Sequence, residues 1–306
     1  MPNWGEVLVQ LNSTPNPLDE MRRRYLKIMH EYTGRNVITY YSAFLQKQGI
    51  EGTGIDDNDK NAFMQAVCGL DRGKGLDLIL HTPGGAIASA ESLTYYIRKL
   101  FGKDIRVFVP QIAMSAGTMI ALSSKQIVMG KQSNLGPIDP QFGGMSCAGI
   151  IEEFEEALKC VSADPKTASV WGPIISKYHP TFIGDCKKAR DWAETIAKKW
   201  LLENMFSNDA NKEQKVTLIV EKLSSHPKTF SHSRHIHIDE LKEMGLNIVE
   251  LEGLDDRKIR GCKDLQDCVL TIHHTYMHTL SHSNAVKIVE NHEGGAMIMN
   301  ANRNTK

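Results

Sequence analysis

Leu76-Asp77-Leu78-Ile79-Leu80-His81-Thr82-Pro83-Gly84-Gly85 decides how this chain of 306 residues is read. A short apolar run enters a Pro-Gly-Gly turn, and Ala90, Leu93, Ile97 and Leu100 then recur at helical spacing. The same strand–loop–helix order returns at once. Ile105-Arg106-Val107-Phe108-Val109-Pro110 leads to the loop Ala113-Met114-Ser115-Ala116-Gly117-Thr118 and a small-residue helix to Leu122, and Gln126-Ile127-Val128-Met129 then reads as a strand. Strands alternating with helices of roughly 10–15 residues predict βαβ units and a largely parallel sheet, hence an α/β fold.

Upstream, Asn16-Pro17-Leu18-Asp19-Glu20 offers a helix start. Leu18, Met21, Tyr25, Ile28 and Tyr32 share its face, and Gly34 is a natural stop. Val37–Tyr41 has strand composition, and a helix is expected from about Asp57 to Leu70. Downstream, the pattern from Gly149 to Leu223 is helical and Asn247–Leu251 reads as a strand after Gly245. A helix is expected from about Asp264 to Leu280, then terminal strands at Val286–Val289 and Ala296–Met299. This divides the chain into an N-terminal helical arm (1–36), a central α/β domain (37–251) and a C-terminal helix–strand extension (252–306). There is no internal repeat.

Composition narrows the function. Thirty-six Lys and Arg balance thirty-six Asp and Glu, which argues against a nucleic-acid or membrane-surface binder. No apolar run reaches the roughly 18 residues of a membrane span. The start Met1-Pro2-Asn3-Trp4-Gly5-Glu6 lacks a basic-then-apolar signal pattern, so a cytoplasmic location is expected. Six cysteines without a Cys-x-x-Cys pair read as reduced, mostly buried thiols. No Gly-x-x-x-x-Gly-Lys-Ser/Thr loop is present for nucleotide hydrolysis.

Two loops sit where open α/β sheets place their sites, at strand C-terminal ends. In His81-Thr82-Pro83-Gly84-Gly85-Ala86, Pro83 fixes one φ and the glycines permit a turn with outward amides, able to bind an oxyanion. The plainer reading is a tight strand-to-helix turn. In Ala113–Thr118, Ser115 stands at a helix N-terminus, where the dipole favours developing negative charge. It resembles a nucleophile elbow with Ala113 in place of the first Gly; the plainer reading is an N-cap serine.

Taken in order and spacing, HTPGGAIASAESL, VFVPQIAMSAGTMIALSSKQIVMG and SNLGPIDPQ resemble the serine dehydrogenase proteinase family of the Clp-protease/crotonase superfamily, near the signal peptide peptidase A group. The likeness runs from about Val37 to Leu251 and is densest between Leu76 and Gln141. It implies a Clp/crotonase-like fold of repeated ββα units in two nearly perpendicular sheets. It also implies a cofactor-independent and metal-independent serine peptidase that works through an acyl-enzyme on Ser115, with the backbone amides of Gly85 and Ala116 as oxyanion hole. Relatives assemble into rings or smaller oligomers, so a homo-oligomer acting on a peptide or protein substrate is expected.

The general base is less plain. Clp-type peptidases carry a His about 25 residues after the nucleophile, where this chain has Asp139 within Gly136-Pro137-Ile138-Asp139-Pro140-Gln141; that departure speaks against a Clp-type triad. The signal peptide peptidase relatives use a downstream Lys. Lys188 ranks first because Lys188-Ala189, at the start of an apparent helix, resembles a Lys-Ala pair of archaeal relatives, with Lys166 (if spacing to the nucleophile decides) and Lys177 as alternatives beside Lys159 and Lys187. A basic Lys must be desolvated to lose its proton near pH 7. His232, in Thr229-Phe230-Ser231-His232, is a third choice and reads first as a loop-ordering residue. His81 is expected to position the Pro-Gly-Gly loop. His274, His278 and His282 share a helix face without a carboxylate placed as base, and read as solvated or capping residues. Two other classes stay open. An acyl-CoA enzyme of the crotonase type would use a similar pair of amides, and a non-catalytic oligomeric scaffold would need no base.

Overall fold

The computed structural model describes residues 17–224, 231–255, 257–259 and 261–301. Residues 1–16 of the expected arm, Thr229 and Phe230 before His232, and the last five residues lie outside the described residues. In chain order the elements are α1 (Pro17–Thr33), β1 (Asn36–Ser42), α2 (Asn58–Ala66), β2 (Leu76–His81), α3 (Ile87–Phe101), β3 (Ile105–Val109), β4 (Ile112–Ala113) and α4 (Ala116–Leu122). Next come β5 (Gln126–Met129), β6 (Asn134–Leu135), the hairpin β7 (Gln141–Phe142) and β8 (Met145–Ser146), α5 (Cys147–Ala163), α6 (Ala168–Ile175), α7 (Phe182–Glu203) and α8 (Lys212–Ser224). The chain closes with β9 (Ile236–His237), α9 (Ile238–Glu243), β10 (Ile248–Glu250), α10 (Leu265–His282), β11 (Ala285–Asn291) and β12 (Ala296–Asn300).

The main sheet has seven strands in the order β10-β5-β3-β2-β1-β11-β12. From β10 to β1 neighbouring strands are parallel, while β1 with β11 and β11 with β12 pair antiparallel. Every residue of β1, β2 and β11 is buried, as expected of central strands covered on both faces. A second sheet of three short strands, β4-β6-β9, stands at the C-terminal ends of the parallel strands. Its β4 is joined to the main sheet through Thr82, which bridges Ala113.

One face of the main sheet buries Ile38, Leu78, Val107 and Ile127 against α2, α3, α4, α7 and α8. On the other face Val37, Ile79, Phe108 and Val128 pack with Leu26 and Met29 of α1 and with Ile272 and Tyr276 of α10. The segments expected as an arm and an extension thus share one hydrophobic cluster on the sheet, and β11 is inserted between β1 and β12. Arg22 of α1 is fully buried and pairs with the buried Glu290 of β11 at 2.8 Å, while the Tyr276 hydroxyl donates to the same carboxylate. A third small cluster, Cys147, Ile150, Ile151 and Cys186, ties α5 to α7. The free cysteines agree in part with the sequence: Cys147, Cys186 and Cys268 are buried, Cys160 and Cys262 are half-buried, and Cys68 is exposed.

Candidate active site

Three segments meet at the C-terminal end of the parallel strands. Main-chain bonds hold the first two together, with the Thr82 amide donating to Ile112 and the Met114 amide to Thr82. The Thr118 hydroxyl lies 2.9 Å from the carbonyls of both Ala113 and Gly136, and the Gly136 amide donates to it at 3.0 Å, which brings in the third segment. These buried hydrogen bonds tie the three segments together at low conformational freedom.

Ser115 precedes the first residue of α4 with φ 50° and ψ −116°. This is a conformation that L-residues rarely adopt, with a cost of about 1–3 kcal/mol. Its side chain caps no helix amide, so the plain N-cap reading does not hold. Ser115 instead lines a cleft at the head of this helix. The Pro-Gly-Gly loop lies against it. A Cβ on Gly84 (φ +99°) would come within 2.7 Å of the Ser115 Cβ, and one on Gly85 (φ +154°) within 2.2 Å of the Ile55 nitrogen. Only glycine allows both approaches. Ile55 pairs with this loop as a one-residue strand, its amide donating to the Gly84 carbonyl at 2.7 Å and its carbonyl accepting from Ala86 at 2.9 Å. In such a parallel bridge the Gly85 amide points away from Ile55.

Ser115 and His232 line the same cleft of about 470 Å³, with Gly85, Pro140, Phe142, Ala189 and Trp192 among its other walls. His232 Nδ1 lies 2.8 Å from an oxygen of Asp139, which is fully buried, while the imidazole is about one-fifth exposed. The other Asp139 oxygen accepts from the Ser146 hydroxyl at 2.9 Å. An ionised carboxylate only accepts, so this contact holds His232 in the tautomer with Nδ1 protonated and Nε2 carrying a lone pair. Cys147, the next residue after Ser146, is no rival nucleophile because burial pushes its thiol up to about 12.

The lysines expected as base are not brought to this cleft. Lys188 is 82% exposed and faces Asp185 at 3.5 Å, although its neighbour Ala189 lines the cleft. Successive helical residues point about 100° apart, which sends one inward and the other to solvent. Lys166, in a short turn after α5, and Lys177, after α6, are exposed. None meets the requirement of burial. The departure from the Clp pattern at Asp139 stands, and Asp139 itself pairs with His232, which arrives from 93 residues later in the chain. An acid set between two prolines in a buried loop was the signal for a structural carboxylate awaiting a partner.

His81 is buried, with Nε2 3.2 Å from Gln111 Oε1 and its ring stacked on Tyr41 at 5.4 Å. Burial lowers its pKa to about 4, so it is neutral and braces the strand beneath the Pro-Gly-Gly turn. His278 is buried rather than solvated, its ring stacking with His282. Among the described residues His30, His292 and Glu293 bring donor atoms within 4.8 Å of one another. The two rings stack at 3.8 Å and 15°, so their in-plane lone pairs run alongside each other and do not converge on one ion.

A largely parallel sheet that presents a strained serine at a helix head, beside a Gly-Gly loop, is the arrangement of a Clp-type serine proteinase. The chain belongs to the family of ClpP-like SDH-type serine proteinases, which matches residues 16–252. It is similar to the uncharacterized protein MJ0137 of Methanocaldococcus jannaschii, 28% identical over 229 residues that cover 73% of this chain and 72% of that one. It is also similar to MJ1495 of the same organism, 28% identical over 194 residues, which are 63% of this chain and 59% of that protein. Among the described residues no helix is long and apolar enough to cross a membrane.

Proposed function

We propose that the protein is a serine endopeptidase whose nucleophile is Ser115 and whose general base is His232, oriented by Asp139. The observation that carries this reading is that His232, paired with the buried Asp139, lines the same cleft as the strained Ser115. Ser115 Oγ attacks the scissile carbonyl carbon while His232 Nε2 takes the hydroxyl proton. The negative charge that develops on the carbonyl oxygen is held by the amides of Gly85 and Ala116, the latter at the head of α4. The C–N bond then breaks as His232 returns the proton to the leaving nitrogen. Water attacks the acyl-enzyme ester, its proton passing to His232, and the acid product leaves with Ser115 restored. Lys188 takes no part.

Ile87, Ala88, Phe142 and Trp192 in the cleft walls favour an apolar side chain next to the scissile bond. The short strands β4 and β6, each following a long strand, support the reading of repeated ββα units. The homo-oligomeric assembly implied by the family resemblance and the cytoplasmic location expected from the sequence belong to the same proposal. The test is hydrolysis of a mixed-sequence fluorogenic peptide library by wild type, Ser115→Ala and His232→Gln. Turnover by wild type alone supports the reading; equal turnover by either variant refutes the role given to that residue.

A further inference from the structure

The Pro-Gly-Gly loop owes its position to Ile55, and the segment carrying Ile55 is held in turn by a buried lysine from the far end of the chain. Lys287 lies in β11, 1% exposed. Its ammonium is 3.0 Å from the Gly54 carbonyl, 2.8 Å from Asp56 Oδ2 and 2.7 Å from Asp59 Oδ1. The first two contacts are hydrogen bonds and the third is an ion pair, so the buried charge faces three oxygens. Two of these oxygens belong to the residues on either side of Ile55, whose own main chain is bonded to Gly84 and Ala86.

Asp59 is completely buried and takes a second role in the same cluster. One of its oxygens accepts from the Tyr40 hydroxyl and from the Asp56 amide, each at 2.9 Å. Burial raises its pKa and the Lys287 charge opposes that rise. The lysine is thus the counter-charge that lets a carboxylate sit beneath the loop. It lies outside the region matched by the family, 16–252, and 172 positions after Ser115 (287 − 115).

Resting on the proposed serine mechanism, we infer that Lys287 is a positioning residue for the oxyanion hole. Through Gly54 and Asp56 it fixes the one-residue strand at Ile55, and Ile55 fixes the direction of the Gly85 amide. A donor aimed at a developing charge is effective only when held in advance, so loosening this tether lowers the rate of the chemical step and leaves ground-state binding alone. The segment after residue 252 therefore completes the site as well as the core.

The test uses the full chain and a fluorophosphonate probe, measuring the limiting rate of Ser115 phosphonylation separately from the concentration at half saturation. Amide exchange of residues 54–56 and 84–86 is followed by mass spectrometry on the same samples. Lys287→Met removes the tether, and Asp56→Asn weakens it at a carboxylate that is 41% exposed, so one variant remains informative if the other does not fold. Ile272→Val, in the core on the opposite face of the sheet, serves as the control for a general loss of stability. A limiting rate reduced by about 10-fold or more, with half saturation unchanged and exchange of 84–86 accelerated, is expected for the tether variants only. A folded Lys287→Met or Asp56→Asn protein with wild-type rate, or with wild-type exchange at 84–86, overturns the inference. If wild-type Ser115 itself takes no label, the nucleophile reading fails, and the exchange measurement still decides whether Lys287 holds the loop.

Discussion

Asp139, in the loop that follows β6, lies 2.8 Å from the imidazole of His232, and the carboxylate is wholly buried while the histidine is about one-fifth exposed. That asymmetry separates an orienting acid from a proton-transferring base. His232→Gln is expected to lower peptidase turnover by on the order of 10³-fold or more, and Asp139→Asn by a smaller or equal factor through the wrong tautomer. Lys188→Ala, Lys166→Ala and Lys177→Ala are expected to stay within about twofold of wild type, because these exposed side chains do not line the cleft. Steady-state turnover of the five variants on one peptide substrate checks this. A loss of several orders of magnitude in Lys188→Ala would restore the lysine as base.

The backbone at Ser115 yields a prediction of opposite sign for stability and activity. Glycine tolerates φ 50° and ψ −116°, so Ser115→Gly removes the strain along with the nucleophile. An increase of about 1 kcal/mol in unfolding free energy is expected together with complete loss of hydrolysis. Urea unfolding of wild type, Ser115→Gly and Ser115→Ala separates the effect of strain from that of the lost hydroxyl, since alanine keeps the strain.

Much of the fold was legible because apolar runs bounded by Gly and Pro announce strands whatever they pair with. Leu76–His81 and Gln126–Met129 form strands over those bounds, and the expected helix near Asp264–Leu280 is α10. Pairing itself was not legible. Nothing local to Val286–Val289 says that this strand sits antiparallel against Val37–Tyr41 across more than 240 residues, and so the arm and extension read as appendages. The site divides in the same way. Ser115 and the Gly84-Gly85 turn lie within contiguous motifs, whereas His232 meets Asp139 only through folding, and it is folding that turns Lys188 to the solvent face of its helix.

His81 makes stability depend on pH. Burial lowers its pKa from 6.5 to about 4, so between those values the unfolded chain binds a proton that the folded chain refuses. Stability therefore rises with pH through that window and is lost as pH falls from about 6.5 toward 4, by up to about 3 kcal/mol. Burial also holds the neighbouring His273 well below its ordinary value, which adds to the slope. Unfolding midpoints at pH 7 and pH 5 are expected to differ more in wild type than in His81→Gln. Equal differences would mean that His81 does not contribute.

The buried pair Arg22–Glu290 tests whether α1 belongs to the core. Arg22→Met leaves the buried Glu290 with, among the described residues, the Tyr276 hydroxyl and the partly exposed Arg23 at its carboxylate. A loss of about 3–5 kcal/mol is expected, as for other buried pairs broken on one side. Cooperative loss of the whole sheet signal in denaturant would place α1 within the folding unit, and a separate early transition would make it an independent arm.

The most direct measurement is intact-mass labelling with a fluorophosphonate followed by peptide mapping, run on wild type, Ser115→Ala and His232→Gln. The expected result is a single adduct on Ser115 of the wild type, none in Ser115→Ala, and labelling of His232→Gln slowed by on the order of 10³-fold. An adduct on another residue, or equally fast labelling of Ser115 without His232, would contradict the assignment of this cleft as a serine nucleophile activated by the His232–Asp139 pair.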